Sequence, residues 1–516
     1  MRHTPRVETQ PQLPRGLVIA AVLISLTGLV FHDLWTPDEP REAALALAMN
    51  RSGDHLIPQL AGQPFVEKPP LYYASAAFWL RCSPCATPNA GWLRLTSLLW
   101  GLGTLMMTWL FARRLLDRQR ATLTVLVLAT LPGFVHVTHW LLTDVALMFF
   151  VTAALWALAE AYRAGRFMLL PLAGLFAAGA FLTKGIIGPV FIALGGLPLL
   201  LFSKPWKKEA VSDQRSAISG QRSVLFWHLA ALISFILPVA AWGLAFWRTG
   251  GQALFMEWFW TNHFGRFSGA ATQLGHISGP LYYLKVLPVY LLPWLPVVIW
   301  GLWRAVHDKI FRRKSVAPLM WGLGGVALLS LSATKREIYL APLLPAFALL
   351  AAHTLTGTLP RRLAWCARPR YLATLVGLWL VGLTIAEPLV NRQKSYGPAF
   401  REFARQLTAR ADLRAAAWDL DETTRAGFYW YANRTFPALP NRTAVDAVLT
   451  GQHPRFNAVV ICQKDGTLPV EFSVTQETAV RMGSHRTLLL LAPPLSAERS
   501  PRNFTVPTNS PDKSRT

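Results

Sequence analysis

The segment HDLWTPDEPREAALALAMNRSGDHLIPQLAGQPFVEKPPLYY, residues 32–73, decides how the chain reads. It follows an apolar run and carries Asp33, Asp38, Glu39, Arg41, Glu42, Asp54, Glu67 and Lys68. The apolar runs on either side are almost free of charge. Ionisable groups are costly in lipid unless paired or used. A dense cluster of acid and base between such runs therefore points to chemistry at a membrane–water boundary.

The rest of the chain fits that setting. Of 516 residues, 53% are hydrophobic and 15% charged, with mean hydropathy +0.32. That is too apolar for an ordinary soluble enzyme and fits a polytopic membrane protein. The formal net charge is +24, which in a soluble protein would suggest a nucleic-acid partner. Here the basic residues sit in short loops between apolar runs, and no nucleic-acid-binding module is present, so no such partner is expected. Four cysteines make no metal set; Cys82 and Cys85 form a C-x-x-C that is either a disulfide on an oxidising face or a pair of incidental thiols. The run from Leu17 to Phe31 reads as an uncleaved first span.

A crossing helix needs about 20 apolar residues. About eleven spans are expected, at 16–34, 91–112, 121–140, 144–162, 167–183, 186–202, 224–246, 281–303, 316–332, 338–356 and 371–388. The aromatic segment 69–81 is too short to cross and reads as an interfacial helix. Alternate loops, within 2–15, 113–120, 163–166, 204–222, 304–314 and 361–370, hold 23 of the 34 Arg and Lys in residues 1–390. The positive-inside tendency places them in the cytoplasm. The other loops, including residues 33–80, the Asp144 turn, the Lys184–Gly185 turn, 248–280 and Lys335–Glu337, then face outside. The expected organisation is a membrane domain over 1–390, a small extracytoplasmic α/β domain over 391–495 and a disordered tail over 496–516. The insert 209–224 reads as a flexible cytoplasmic loop.

The outer groups can be weighed one by one. Asp38 and Glu39, bracketed by Pro37 and Pro40, are either an ordinary helix start or carboxylates that activate or position an acceptor. Arg41, one turn on, can hold such a carboxylate or a phosphate. Glu67 and Lys68 are either a charged cap on the interfacial helix or a site in which Lys68 meets an anionic substrate and Glu67 orients it or binds a divalent cation. Asp144 either caps its helix through Thr143–Asp144 or is a second active acid. Lys184 breaks an apolar stretch too long for one crossing, and either snorkels to the interface or binds a lipid phosphate at that depth. His263 and Arg266 are three residues apart and can share a helix face; His276 is a weaker candidate. Lys335 and Arg336 place two cations on the outer side, against the positive-inside tendency, which an anionic ligand explains; Tyr339 can bond the same ligand. Cations on a phosphate leaving group, with acids beside the acceptor, imply group transfer from a lipid-linked phosphate. No Walker or dinucleotide glycine motif is present.

With these residues in view, the chain resembles the superfamily of bacterial aminoarabinose transferases and protein O-mannosyltransferases, which are GT-C glycosyltransferases. The resemblance lies in W-x-x-D-E-x-R-E-A (Trp35–Ala43), S-G-D-x-x-x-P (Ser52–Pro58), E-K-P-P-L-Y-Y (Glu67–Tyr73), Thr143–Asp144, T-K-G (Thr183–Gly185), H-F-x-R-F (His263–Phe267) and the Lys335–Tyr339 turn. It covers roughly residues 17–390; the first motif departs slightly in register from the family form. It implies an all-α GT-C membrane fold, an undecaprenyl-phosphate-linked sugar donor and a periplasmic active site at the inner membrane. Asp38 would be the principal catalytic carboxylate, with Glu39 beside it, and Asp144 a second essential acid. Lys68, Lys184, Lys335 and Arg336 would hold the donor phosphate, assisted by Arg41, Arg266 and Tyr339. Glu67 and His263 would match a divalent-cation site of relatives, and metal dependence stays open. The acceptor would be lipid A or another envelope glycan; protein O-glycosylation is the alternative enzyme reading, and a lipid or solute transporter the non-enzyme one. A transporter would more typically place its charges at the bilayer midplane, on interrupted helices in paired halves, and no such halves are visible.

Overall fold

The computed structural model describes residues 15–202, 214–270, 277–464, 475–483 and 485–493. The expected tail over 496–516 and His276 lie outside them, as do residues 209–213; the rest of the 209–224 insert is helical, opening the helix Gln214–Met256 where a flexible loop was expected. The chain divides into two compact units, 1–395 and 396–516.

The first unit is helical. It opens with α1 (Arg15–Ile24), α2 (Glu39–Ser52) and α3 (Leu71–Arg81), with a two-stranded hairpin of β1 (Gln59–Leu60) and β2 (Gln63–Pro64) between the last two. Then come α4 (Ala90–Leu93), α5 (Leu95–Leu115), α6 (Arg118–Ala129), α7 (Pro132–His139) and α8 (Thr143–Ala164). Next are α9 (Leu170–Lys184), α10 (Ile187–Phe202) and α11 (Gln214–Met256), which breaks at Gly251 and runs through a π-helical stretch, Glu257–Gly265, into α12 (Arg266–Ser268). The unit closes with α13 (Tyr282–Tyr290), α14 (Leu295–His307), α15 (Lys309–Leu331), α16 (Leu344–Leu355) and α17 (Pro369–Lys394).

Among the described residues, seven helices are long and apolar enough to cross a membrane, and two bent pairs raise the number to nine. With the shorter apolar helices α1 and α10, each span expected from the sequence has a counterpart. The chain is a multi-pass membrane protein. Three spans differ from their expected form. The first ends at Ile24 instead of near residue 34. Gly28 follows with φ +83°, and a Cβ there would lie 1.4 Å from the Glu387 carboxylate, so only glycine permits that close approach. The pairs α6–α7 and α13–α14 bend by 65° and 114°. Pro132 and Pro293 sit at these breaks, where proline removes a backbone donor.

Burial sorts the helices. Every residue of α16 is buried, as are Val145–Met148 and Val151–Leu155 of α8. By contrast Leu225, Phe226, Leu229, Ile233 and Leu237 of α11 are exposed, as a lipid-facing helix requires. One end of this bundle gathers Asp38, Glu67, Asp144, Lys184 and Arg336 through ion pairs described below. The opposite end is tied by Arg114 and Arg166 to Glu160, at 2.7 and 3.1 Å, and by Arg120 to Thr356 at 2.7 Å.

The second unit is α/β. Its sheet runs β3 (Ala415–Ala417), β4 (Ala458–Lys464), β6 (Arg486–Ala492), β5 (Thr475–Met482). The β3–β4 pair is parallel and the others antiparallel. Alternate strand residues point to opposite faces. Leu488 and Leu490 thus pack with Phe400 and Phe403 of α18 (Gly397–Ala409) and Phe428 of α19 (Glu422–Ala432). Leu489 and Leu491 pack with Val445 and Val448 of α20 (Arg442–Leu449) on the other face.

Candidate functional site

The acidic start of α2 builds one side of the site. Asp38 stands at its N-cap, Glu39 opens its first turn, and Glu42 lies one turn beyond Asp38. All three carboxylates are buried. Asp38 takes two hydrogen bonds from Arg336, at 2.7 and 2.5 Å, and one from Arg41 at 3.1 Å. Burial alone would raise the Asp38 carboxyl, but the bonds and charges of Arg336 and Arg41, with the charge of Lys68, outweigh it and hold the group below the usual carboxylate range. Arg41 also reaches Glu42 at 3.3 Å, and Glu42 accepts from Lys68 at 3.0 Å. Burial opposes the Lys68 charge, yet Glu42 and Glu67 beside it raise its pKa. Asp38, Arg41, Glu42 and Lys68 thus form one ionic chain.

Glu39 stands apart from that chain. Its carboxylate takes Arg94 side-on at 2.8 and 2.8 Å and the backbone N–H groups of Leu141 and Trp35 at 2.9 and 2.6 Å. The pair is fully buried. A carboxylate so occupied has little left for a substrate, so its geometry is that of a tether between α2, α5 and the segment before α8. The expected place of Glu39 beside Asp38 in catalysis is thus set against a carboxylate held by Arg94 and two backbone N–H groups. Arg94 went unnoticed in the sequence; its signal was a lone cation at the head of an apolar run, which demands a buried partner.

Beside the chain lies a cavity of about 370 Å3. Its polar lining includes Lys68, Glu67, Asp144, Lys184, Arg266 and Tyr339. Leu147, Ile187, Val190, Phe191, Phe264 and Leu329 are among its apolar lining. Asp144 Oδ1 accepts from the Lys184 ammonium, while its buried Oδ2 has no hydrogen-bond partner among the described residues. The same ammonium lies over the Tyr339 ring at 4.2 Å. Gly185 follows with φ +70°, and a Cβ there would lie 2.0 Å from His263 Nε2. The T-K-G turn therefore needs glycine both for its backbone and for the approach of His263. The π-helical stretch carries Asn262 and His263 to the wall, a usage common at functional sites.

Asp38, Arg41 and Arg336 do not line this cavity; they adjoin it through Glu42 and Lys68. Lys335 is also absent from the lining: its ammonium donates to the backbone oxygens of Ser278, at 3.0 Å, and Ser332. These bonds fix the turn. Glu67 accepts from Arg266 at 2.8 Å. Burial would raise its carboxyl, but Arg41, Lys68 and Arg266 around it hold it well below the usual range. Three cations around Glu67 suit an anionic guest and oppose a divalent cation. His263 Nδ1 is spent on Trp258 O at 2.8 Å. No group of three or more His, Cys, Asp or Glu able to hold a metal is found among the described residues. The donor set does not fit a metal. Cys82 and Cys85 are exposed free thiols.

Residues 15–261 match the family model described as dolichyl-phosphate-mannose-protein mannosyltransferase. The chain is 30% identical over 395 residues to the undecaprenyl phosphate-alpha-4-amino-4-deoxy-L-arabinose arabinosyl transferase of Pseudomonas aeruginosa, across 74% of this chain and 66% of that one. It thus spans just under two thirds of that relative's length. Among solved structures it is similar to ArnT from Cupriavidus metallidurans in the apo state, with TM-score 0.68 and 16% identity over 92% of this chain and 96% of that one. The ArnT structure bound to undecaprenyl phosphate gives TM-score 0.66 and 17% identity over 92% and 97%. At these identities the structures speak for the fold.

Proposed function

We propose that this chain is a GT-C glycosyltransferase of the aminoarabinose-transferase type and transfers a sugar from an undecaprenyl-phosphate-linked donor to lipid A. The family-model match, the 30% identical relative and the ArnT-like fold support this reading. The observation that carries this reading is the mixed lining of the cavity: the cations Lys68, Lys184 and Arg266 together with apolar side chains such as Leu147, Val190 and Phe264. A phosphate at these cations leaves its lipid chain along the apolar side chains.

The residues then divide the work. Lys184, Lys68 and Arg266 stabilise the phosphate as charge builds on the departing oxygen. Asp144, with one oxygen unpartnered, faces the sugar and stabilises positive charge developing at its anomeric carbon. Asp38 is held ionised by two arginines, which makes it a poor proton acceptor. It therefore positions the acceptor side of the site through Arg336 and Arg41 instead of abstracting a proton. A lipid A phosphate suits this arrangement, because such an acceptor is already anionic and needs no base.

The ionic end faces the periplasm and the membrane is the bacterial inner membrane. The basic loops at the opposite end support that orientation. The second unit, which follows α17, is an extracytoplasmic domain. The test is mass spectrometry of envelope lipids and secreted proteins in a strain lacking the gene, with and without the restored chain. A sugar-sized mass gained on lipid A supports the reading; the same mass found only on secreted proteins replaces it with protein O-glycosylation.

A further inference from the structure

The end of the bundle away from the ionic cluster carries a second cavity, of about 440 Å3. It lies between α14, the start of α15 and the turn Thr358–Pro360. The crossing Glu337–Leu355, 19 residues long, begins beside Tyr339 of the first cavity and ends just before this turn. The two cavities therefore lie on opposite membrane faces.

Three rings form one wall. Trp300 and Trp303 stack at 4.3 Å, and Trp303 and His307 at 4.4 Å. Trp300 Nε1 donates to Thr358 O at 3.3 Å and ties the wall to the turn. Arg304 donates to Asp308 at 2.9 Å, and the other Asp308 oxygen accepts the N–H groups of Ile310 and Phe311. The one acid of the pocket is thus already engaged. Around it Lys309, Arg312, Arg313, Lys314, Arg361 and Arg362 are exposed, and neither 309–314 nor 357–370 contains an acid. On the flank Ile299, Val306 and Ile310 are 56%, 70% and 74% exposed.

We propose that this pocket binds the head group of an anionic glycerophospholipid. Its phosphate meets the basic rim, its glycerol rests against the aromatic wall, and its acyl chains run along Ile299 and Val306. Trp and basic side chains at head-group depth favour such a ligand. A free phosphate would use the rim but gain nothing from the apolar flank, so the juxtaposition of the two selects the lipid. The proposal is independent of the transfer reaction.

The test titrates the purified full chain with phosphatidylglycerol, phosphatidylethanolamine or inorganic phosphate and counts bound molecules by native mass spectrometry. Phosphatidylglycerol is expected to bind about tenfold or more tightly than phosphatidylethanolamine, and the triple variant Trp303→Ser, Arg361→Gln, Arg362→Gln to lose that preference. The milder pair Arg361→Gln, Arg362→Gln keeps the aromatic wall and is expected to weaken binding part-way. Equal affinity for the two lipids, unchanged binding by the triple variant, or phosphate binding as tightly as phosphatidylglycerol each overturns the proposal.

Discussion

Arg336 grips Asp38 from 298 positions away in the chain, with two hydrogen bonds of 2.7 and 2.5 Å. Their pairing joins the start of α2 to the turn before the buried α16 crossing. A lysine supplies the charge but not the planar fork. Arg336→Lys is therefore expected to lower transfer at least about tenfold at unchanged membrane content. Turnover per purified molecule checks this; wild-type turnover would show that the fork is dispensable.

The same pairing sets the pH response. The Asp38 pKa lies below its ordinary value, which is about 4 in an unfolded chain. Its contribution to stability is fully present above that pH and is lost as pH falls through the lower folded value. The rate profile should then show no acid limb from Asp38 between about pH 5 and 8. An acid limb in that window that vanishes in Asp38→Asn would restore Asp38 as a proton acceptor.

Gly185 offers a steric test. Gly185→Ala forces a Cβ toward His263 Nε2 in a backbone conformation that disfavours side chains, and displaces the neighbouring Lys184. Transfer should fall about tenfold or more. Adding His263→Ala removes the clash but not the backbone penalty, so the double variant should recover part of the loss. Additive losses, measured as kcat/KM, would separate the two residues.

The Arg94–Glu39 pair is structural. Arg94→Ala leaves a buried carboxylate without its cation, at a cost of about 3–5 kcal/mol. The expected result is a large fall in folded protein on detergent extraction, read by thermal unfolding. Glu67 makes a different prediction: held by Arg266, it needs no cation, and chelation with EDTA is expected to leave transfer unchanged. Restoration by one added divalent ion after chelation would return Glu67 and His263 to a metal site.

Much of this was legible in the sequence, because lipid imposes strong rules. Apolar runs of crossing length marked the helices, and alternate basic loops marked the two ends. The bends at Pro132 and Pro293 carried a readable signal, since each proline sits inside an expected span. The early end of α1 did not: it depends on Gly28 meeting Glu387, far along the chain. Local reading also could not show where a cation's ammonium turns. Lys335 and Arg336 are adjacent in sequence, yet one seals a backbone turn and the other holds Asp38. Likewise Asp38 and Glu39 read as a pair of acids, while Arg94 claims one and Arg336 the other.

The claim beneath all of this is that the cavity lined by Lys68, Lys184 and Arg266 holds a polyprenyl phosphate. A photoreactive undecaprenyl phosphate, cross-linked to the purified chain and mapped by peptide mass spectrometry, addresses it directly. Labelling at Val190, Phe191 or Phe264, competed by unlabelled undecaprenyl phosphate and lost in Lys184→Gln, is the predicted result. Competed labelling elsewhere, with Lys184→Gln labelled as strongly as wild type, would contradict it.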